Sequence, residues 1–141
     1  KINNSYISLR LWNDLDNKEI FDFLDKHYNV KINRKNSRNN LNNHTFLSVD
    51  KKFDWPSLNI PVISTKGTCK ALKDQIGILV NGDVVSCCLD NNGDNKLGNI
   101  FKQDINEIIN SSKYQEILNG FNKHELVSPL CQRCGYRERF K

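Results

Sequence analysis

The feature that most constrains this chain is its set of five cysteines, at positions 69, 87, 88, 131 and 134. Because five is an odd number, internal disulfides cannot pair all of them. No secretory signal is recognisable at the start of the sequence, so we expect a cytoplasmic, reducing location. Reduced thiols are available as metal ligands, and the fold is expected to gather them from distant segments.

Length, hydropathy and charge exclude several classes of protein. The 141 residues allow about one modest hydrophobic core. No apolar run approaches the roughly 20 residues that a membrane span requires. The chain starts at Lys1 and contains no methionine, so we expect it to be the C-terminal part of a longer protein. The net charge of +5 is mild, and its main basic cluster, at 31–38, favours a solvated loop over a nucleic-acid partner.

The first half of the sequence predicts one strand, one helix, a long loop and a connector. Alternating apolar and polar residues predict a strand over 6–12, and helical spacing predicts a helix over 18–28 with Asn17 as its N-cap. The segment 29–46 is dominated by Asn and basic residues, so we expect a mobile loop there. The segment 53–64 contains two prolines and predicts a packed, extended connector.

A β-hairpin is predicted in the second half. Two β-type runs, at 75–80 and 83–87, flank Asn81 and Gly82, and Asn-Gly is a strong hairpin signal because both residues tolerate positive φ. The polar segment 90–99 then predicts a loop.

A helical region is predicted after that loop. Asp104 is expected to cap its start, Ser112 resembles a second cap that splits or kinks it, and Gly120 is expected to end it. The predicted fold class is therefore α+β, with a hairpin, a helix and a Cys-rich C-terminal loop.

The predicted hairpin brings four cysteines towards one centre. Cys69 precedes its first strand and Cys87 ends its second, so the hairpin returns the chain and brings the two together. Cys131 and Cys134 form a Cys-x-x-Cys knuckle, whose spacing lets both sulfurs face one centre. Neighbouring strand residues point to opposite faces, so we expect Cys88 to face away and to pack as an ordinary core residue.

Four thiolates suit either Zn²⁺ or an iron–sulfur cluster, and the ligand set alone leaves both open. Structural zinc ribbons usually use two Cys-x-x-Cys knuckles, whereas Cys69 and Cys87 lie 18 positions apart, which favours a cluster. A buried cluster is anionic, and Lys70, Arg133 and Arg137 are the nearby basic residues expected to offset its charge.

The sequence predicts no catalytic residue within the chain. His27, His44 and His124 are expected to be solvated rather than metal ligands. No Ser/His/Asp arrangement, phosphate-binding loop or dinucleotide glycine fingerprint is visible, so no residue is predicted to bind an organic cofactor. The Cys-x-x-Cys pair lies in a Pro-containing terminal loop, which argues against a thioredoxin-type dithiol.

The order of motifs resembles a known family. "CKALKDQIGILVNGDVVSCCLD", "LGNIF", "INEIINSSKYQEILNGF" and "PLCQRCGYRERF" follow one another as in the SPASM or twitch-type C-terminal domain of radical S-adenosylmethionine (SAM) enzymes. In that family a Cys, a spacer, a Gly, four residues and a Cys precede further cysteines. Cys69, Gly82 and Cys87 match this pattern, and Cys131 and Cys134 follow it. The resemblance covers about residues 65–140.

The resemblance implies that Cys69, Cys87, Cys131 and Cys134 hold one auxiliary [4Fe–4S] cluster. Full SPASM domains have seven motif cysteines and two auxiliary clusters. The extra ligands are missing from "GYRERFK", which favours a one-cluster form.

The resemblance also implies a domain order and a parent enzyme. Residues 1–30 would be the terminal β/α element of a partial TIM-type barrel, 31–64 a flexible loop and connector, and 65–141 the cluster domain. The Cys-x3-Cys-x2-Cys motif that binds the SAM cluster does not occur, so this chain alone is not expected to be catalytic. SAM and a second [4Fe–4S] cluster would belong to the missing N-terminal core, which would be the domain's main partner.

Two functions are consistent with these residues. In the first, the domain serves electron transfer, substrate positioning or structural support in a radical SAM oxidoreductase or maturase that modifies a peptide or protein. In the alternative, Zn²⁺ holds the same four cysteines in a structural module that binds protein or nucleic acid.

Overall fold

A computed structural model of the chain describes residues 5–12, 16–35 and 37–140. The chain divides into two compact units, Lys1–Lys52 and Phe53–Lys141. The elements in chain order are β1 (Ile7–Leu11), α1 (Lys18–Tyr28), β2 (Arg38–Asn40), β3 (Thr45–Val49), β4 (Gly77–Ile78), β5 (Asp83–Val85), β6 (Lys96–Asn99), α2 (Ile105–Ile109), α3 (Ser112–Asn122) and two 3₁₀ helices, Cys131–Arg133 and Tyr136–Arg139.

The first unit is a three-stranded sheet associated with one helix. Its strand order is β1-β3-β2, with β1 parallel and β2 antiparallel to β3. The predictions of a strand over 6–12 and a helix over 18–28 are confirmed. The predicted side-chain cap of Asn17 is wrong, because Asp16 rather than Asn17 accepts a side-chain hydrogen bond near the helix start, from the backbone N–H of Lys18.

The loop predicted over 29–46 is wrong in its second half, where β2 and the start of β3 lie. Three apolar side chains of this region, Ile32, Leu41 and Leu47, pack with Phe21 and Leu24 of α1 in a small core. Leu41 is 2% exposed and Leu47 is 0% exposed. The Asn-rich composition hides these anchors, because tertiary burial of a few apolar residues overrides weak local strand preference.

No partial TIM-type barrel is found in the described ranges. Barrel strands are parallel, whereas β2 runs antiparallel to β3 in a sheet of three strands. The first unit is a small mixed α+β arrangement. The domain boundaries at 30 and 64 remain predictions, although the compact units divide instead between residues 52 and 53.

The second unit contains the predicted hairpin. β4 and β5 pair antiparallel around Asn81 and Gly82, with shorter strands than 75–80 and 83–87. Gly82 adopts a φ of +81°, which explains why glycine is needed at that position, whereas Asn81 is not among the residues with positive φ.

A third strand extends this hairpin. β6 pairs with β5 in the segment predicted as a loop. Its sequence, Lys-Leu-Gly-Asn, carries no β pattern. The Lys96 ammonium lies 2.5 Å from Asp83 of β5, and the Asn99 side-chain amide donates to the same carboxylate at 2.8 Å. Cross-strand contacts that the local pattern does not reveal therefore stabilise β6.

The helical region begins and divides much as predicted. Asp104 caps α2 by accepting a hydrogen bond from the N–H of Asn106. Ser111 caps α3 by accepting from the N–H of Tyr114, one residue before the predicted cap at Ser112. Gly120 does not end α3, which continues to Asn122.

The core of the second unit joins its sheet and its helices. Val84 of β5, Ile108 of α2 and Phe121 of α3 are each at most 1% exposed and belong to one cluster. Cys69, Cys87 and Cys131 pack against the edge of that cluster. None of the helices in the described part of the chain is long and apolar enough to cross a membrane.

Candidate metal centre

Three segments of the second unit carry the four predicted ligands. Cys87 follows β5, Cys131 begins the first 3₁₀ helix, and Cys134 follows that helix, with its N–H donating to the Cys131 carbonyl at 3.3 Å. Cys69 lies in a segment tied to the C-terminal part. The Gly67 N–H donates to the His124 carbonyl at 2.8 Å. These connections bring residues far apart in sequence to one side of the core.

The four thiols lie within each other's electrostatic influence. Burial raises the pKa of all four, that of Cys131 to about 12. Cys134 further raises the pKa of Cys69 and of Cys87, and both Cys87 and Cys69 raise that of Cys131. The four predicted thiols are therefore partly desolvated, and Cys69, Cys87 and Cys131 lie close enough to other thiols of the set for those thiols to raise their pKa.

Hydrogen-bond donors act on each of these thiols. The backbone N–H of Ala71 donates to Cys69 Sγ at 3.4 Å. Backbone N–H groups that follow Cys87 and Cys134 in sequence lower the pKa of those two thiols, against the larger effect of burial. Such donors stabilise a thiolate, which is the form that binds metal.

Cys131 has side-chain partners in place of these backbone donors, because Ser128 and Asn95 both lower its pKa against the larger effect of burial. Asn95 Nδ2 lies 3.4 Å from Cys131 Sγ and 3.1 Å from Ser86 Oγ. The Ser128 hydroxyl donates to Asn95 Oδ1, and the Asp90 carboxylate accepts from the Asn95 backbone N–H at 2.8 Å. Sequence reasoning missed this buried network, because Asn95 is one Asn among many in a polar loop and nothing local marks it.

Cys88 is placed differently from its neighbour. Its side chain is exposed, so the prediction that it packs in the core is wrong. β5 ends at Val85, and the strand alternation on which that prediction rested does not reach Cys88. The nearest recorded partner of its sulfur is Gln75 Nε2 at 4.0 Å.

Of the three predicted basic residues, Arg137 influences the thiols. It lowers the pKa of Cys69 and of Cys134, although burial has the larger and opposite effect on both. Lys70 instead lies in an exposed pair with Asp74 at 3.8 Å. Arg133 donates through Nε to the Ile60 carbonyl at 2.8 Å.

The connector over 53–64 makes hydrogen bonds to the cysteine-bearing segments, but the prediction that it is packed is wrong for most of its apolar side chains, because Trp55, Leu58, Val62 and Ile63 are exposed. Trp55 Nε1 donates to the carbonyl of Leu89 at 2.9 Å, two residues after Cys87. The N–H of Ile63 donates to the carbonyl of Gln132, inside the knuckle, at 2.9 Å. The connector therefore links the two cysteine-bearing ends of the second unit.

Other side chains do not complete a conventional metal site. Within residues 5–12, 16–35 and 37–140, no group of three or more His, Cys, Asp and Glu side chains is arranged to hold a metal ion. The four thiols are therefore not closed around a single metal ion in this structure. His27, His44 and His124 are exposed, as expected for solvated side chains.

A small unit that gathers thiols with N–H donors belongs to the class of thiolate-based metal or cluster modules. Residues 69–135 match the family model of the SPASM domain, described as an iron–sulfur cluster-binding domain. This part of the chain is a SPASM-type domain, which confirms the resemblance seen in its sequence. No match to the chain was found among curated proteins or among solved structures.

The chemistry of the site fits an iron–sulfur cluster. Such clusters are held by cysteine thiolates, and hydrogen bonds to the sulfurs, net charge and solvent exposure set their potentials. Four partly buried thiols, N–H donors at the sulfurs and a nearby guanidinium provide each of these features.

Proposed function

We propose that Cys69, Cys87, Cys131 and Cys134 hold one auxiliary [4Fe–4S] cluster in a domain that serves a radical SAM enzyme. The match of residues 69–135 to an iron–sulfur cluster-binding domain carries the proposal. The mutual influence of these thiols supports their proximity. Cys88 also raises the pKa of Cys87, so its exclusion from the ligand set rests on its exposed side chain.

A bound cluster would supply reversible one-electron chemistry. The residues of this chain have distinct roles around it. The four cysteines bind, and because all the ligands come from the protein, direct coordination of substrate is not part of the proposal. Asn95 holds Cys131 in place through its hydrogen bond to Sγ. The connector is hydrogen-bonded to both cysteine-bearing segments and so helps to hold them in place.

The parent enzyme completes the proposal. Its N-terminal core would bind SAM and a second [4Fe–4S] cluster, and the domain would relay electrons to that core, position a peptide or protein substrate, or support the fold. We expect the parent to be a cytoplasmic oxidoreductase or maturase.

Metal and sulfide analysis of the chain tests the cluster directly. The full chain is purified and reconstituted without oxygen, and iron, acid-labile sulfide and zinc are measured per chain. We expect equal amounts of iron and sulfide and a broad visible charge-transfer absorption that dithionite bleaches. The double variant Cys131→Ser/Cys134→Ser should take up neither. Colourless wild-type protein with stoichiometric zinc would support the zinc module instead.

A further inference from the structure

Arg137 is a buried cation without a conventional partner. It lies in the second 3₁₀ helix and is 8% exposed. Its Nε atom is buried and lacks a hydrogen-bond partner. In the part of the chain that the structure describes, no carboxylate lies within ion-pair distance of its guanidinium. A buried charge in this position is unfavourable unless an opposite charge compensates it.

The positive charge of Arg137 affects thiols of the candidate centre. Arg137 lowers the pKa of Cys69 and of Cys134, while burial raises both. The backbone also leaves space for the guanidinium. A Cβ atom at Gly67 would lie 2.8 Å from Arg137 Nη1, and Gly67 has a φ of +146°, which side chains rarely adopt. The fold therefore packs the guanidinium against Gly67, two residues before Cys69, where a side chain would displace it.

Other cations near the centre are satisfied in different ways. Lys70 is exposed and paired with Asp74, and Arg133 donates to a backbone carbonyl of the connector. Arg139 also lowers the pKa of Cys134, but it is only partly buried and lies over aromatic rings, with Cζ 4.5 Å from the ring centroid of Tyr136. Arg137 differs from them because it combines deep burial with the lack of a carboxylate partner.

We propose that Arg137 compensates the negative charge of the bound cluster and thereby raises its reduction potential. This inference rests on the proposed function. An oxidised [4Fe–4S] cluster with four thiolate ligands is dianionic, and reduction adds one further negative charge. A fixed cation close to the ligands stabilises the reduced form more than the oxidised form. Arg137 thus acts through its charge on the cluster and contacts neither the substrate nor a reacting atom.

The test compares three variants of the full chain. Arg137→Gln removes the charge, Arg137→Lys keeps it, and Lys70→Gln removes an exposed charge adjacent to Cys69 as a matched control. Each is reconstituted anaerobically and analysed for iron and sulfide. The cluster is then titrated with dithionite, which supplies the electron, while electron paramagnetic resonance measures the reduced fraction.

We expect Arg137→Gln to load the wild-type amount of iron and sulfide and to show a more negative midpoint potential. Arg137→Lys and Lys70→Gln should stay close to wild type, the latter because solvent screens an exposed charge. A fully loaded Arg137→Gln variant with an unchanged potential overturns the inference alone.

If Arg137→Gln takes up no cluster, Arg137→Lys decides the matter. Loading restored by lysine supports a role for charge, whereas loss of loading in both variants overturns it. A wild-type chain that binds no iron and sulfide overturns the proposed function, and this inference with it.

Discussion

The sharpest prediction concerns two adjacent cysteines that differ in environment. Cys87 packs against the core cluster and lies within the influence of Cys69 and Cys134, whereas Cys88 is exposed. We expect Cys88→Ser to change the free energy of unfolding by less than about 0.5 kcal/mol, as is usual for surface substitutions. Its cluster content should equal that of wild type.

We expect Cys87→Ser to behave in the opposite way. It replaces a proposed ligand by a hydroxyl that binds iron poorly, so iron and sulfide per chain should fall more than tenfold. The hydroxyl also enters a half-buried site among apolar side chains, which costs about 1–3 kcal/mol when no partner receives it.

Anaerobic reconstitution and urea unfolding of the two variants measure both effects. Far-UV circular dichroism follows the unfolding, with reductant present and with a chelator added for the cluster-free form. The reasoning is refuted if Cys88→Ser loses the cluster while Cys87→Ser retains it, because burial would then have identified the wrong ligand.

Three further predictions test other parts of the site and its support. Folding raises the pKa of Cys131 from 9.0 to about 12, so the unfolded chain loses this proton at lower pH. The free energy of unfolding of the cluster-free protein should therefore stay level below pH 9 and then fall by about 1.4 kcal/mol per pH unit up to about pH 12. Urea titrations of wild type and Cys131→Ala at each pH give the difference in their free energies of unfolding, from which the contribution of other groups cancels. A difference that does not change with pH would contradict the assignment. Asn95→Leu should destabilise the cluster-free protein by about 1–3 kcal/mol, because Ser86 and its neighbours lose a buried partner; an unchanged urea midpoint would argue against the network. Gly120→Ala gains about 1 kcal/mol of helix propensity, but its Cβ would lie 2.9 Å from the Glu125 carbonyl oxygen, and overpacking costs about 1–3 kcal/mol. We expect a lower thermal midpoint, and a higher one would show that the neighbouring chain yields.

Elements with a local signal were predictable from the sequence. The strand over 6–12 and the helix over 18–28 show clear hydrophobic periods, and Asn-Gly marks the hairpin. Asp104 caps α2 through the side-chain contact that its position suggested. In each case, residues within a few positions of each other determine the conformation.

Elements without a local signal were missed. β2 and β6 are short and rich in Asn, Arg and Lys, and their conformation depends on partners elsewhere in the chain. Gly120 illustrates the same limit in a helix. It resembles a C-terminal stop, but it lies inside α3 because a later segment passes so close that a side chain would not fit.

The candidate site divides in the same way. The four thiols follow from cysteine spacing, because a hairpin and a knuckle each bring two of them together. Which polar groups face them depends on tertiary packing. Of three basic residues near the cysteines in sequence, Lys70 and Arg133 have other partners, whereas Arg137 is buried and lowers the pKa of Cys134.

The burial that raises the pKa of the thiols also explains why the site needs donors and a cation. Without a bound group, the four thiols hold their protons, and Cys131 does so up to about pH 12. Binding a cluster exchanges those protons for iron, which leaves a net negative charge in a partly desolvated position. The N–H groups that donate to the sulfurs and the positive guanidinium of Arg137 both stabilise this negative charge. In the cluster-free protein this arrangement is unfavourable, because Nε of Arg137 is buried without a hydrogen-bond partner. We therefore expect cluster binding to stabilise the second unit by more than ligation alone, and less so in Arg137→Gln, as unfolding of the loaded and cluster-free forms can measure.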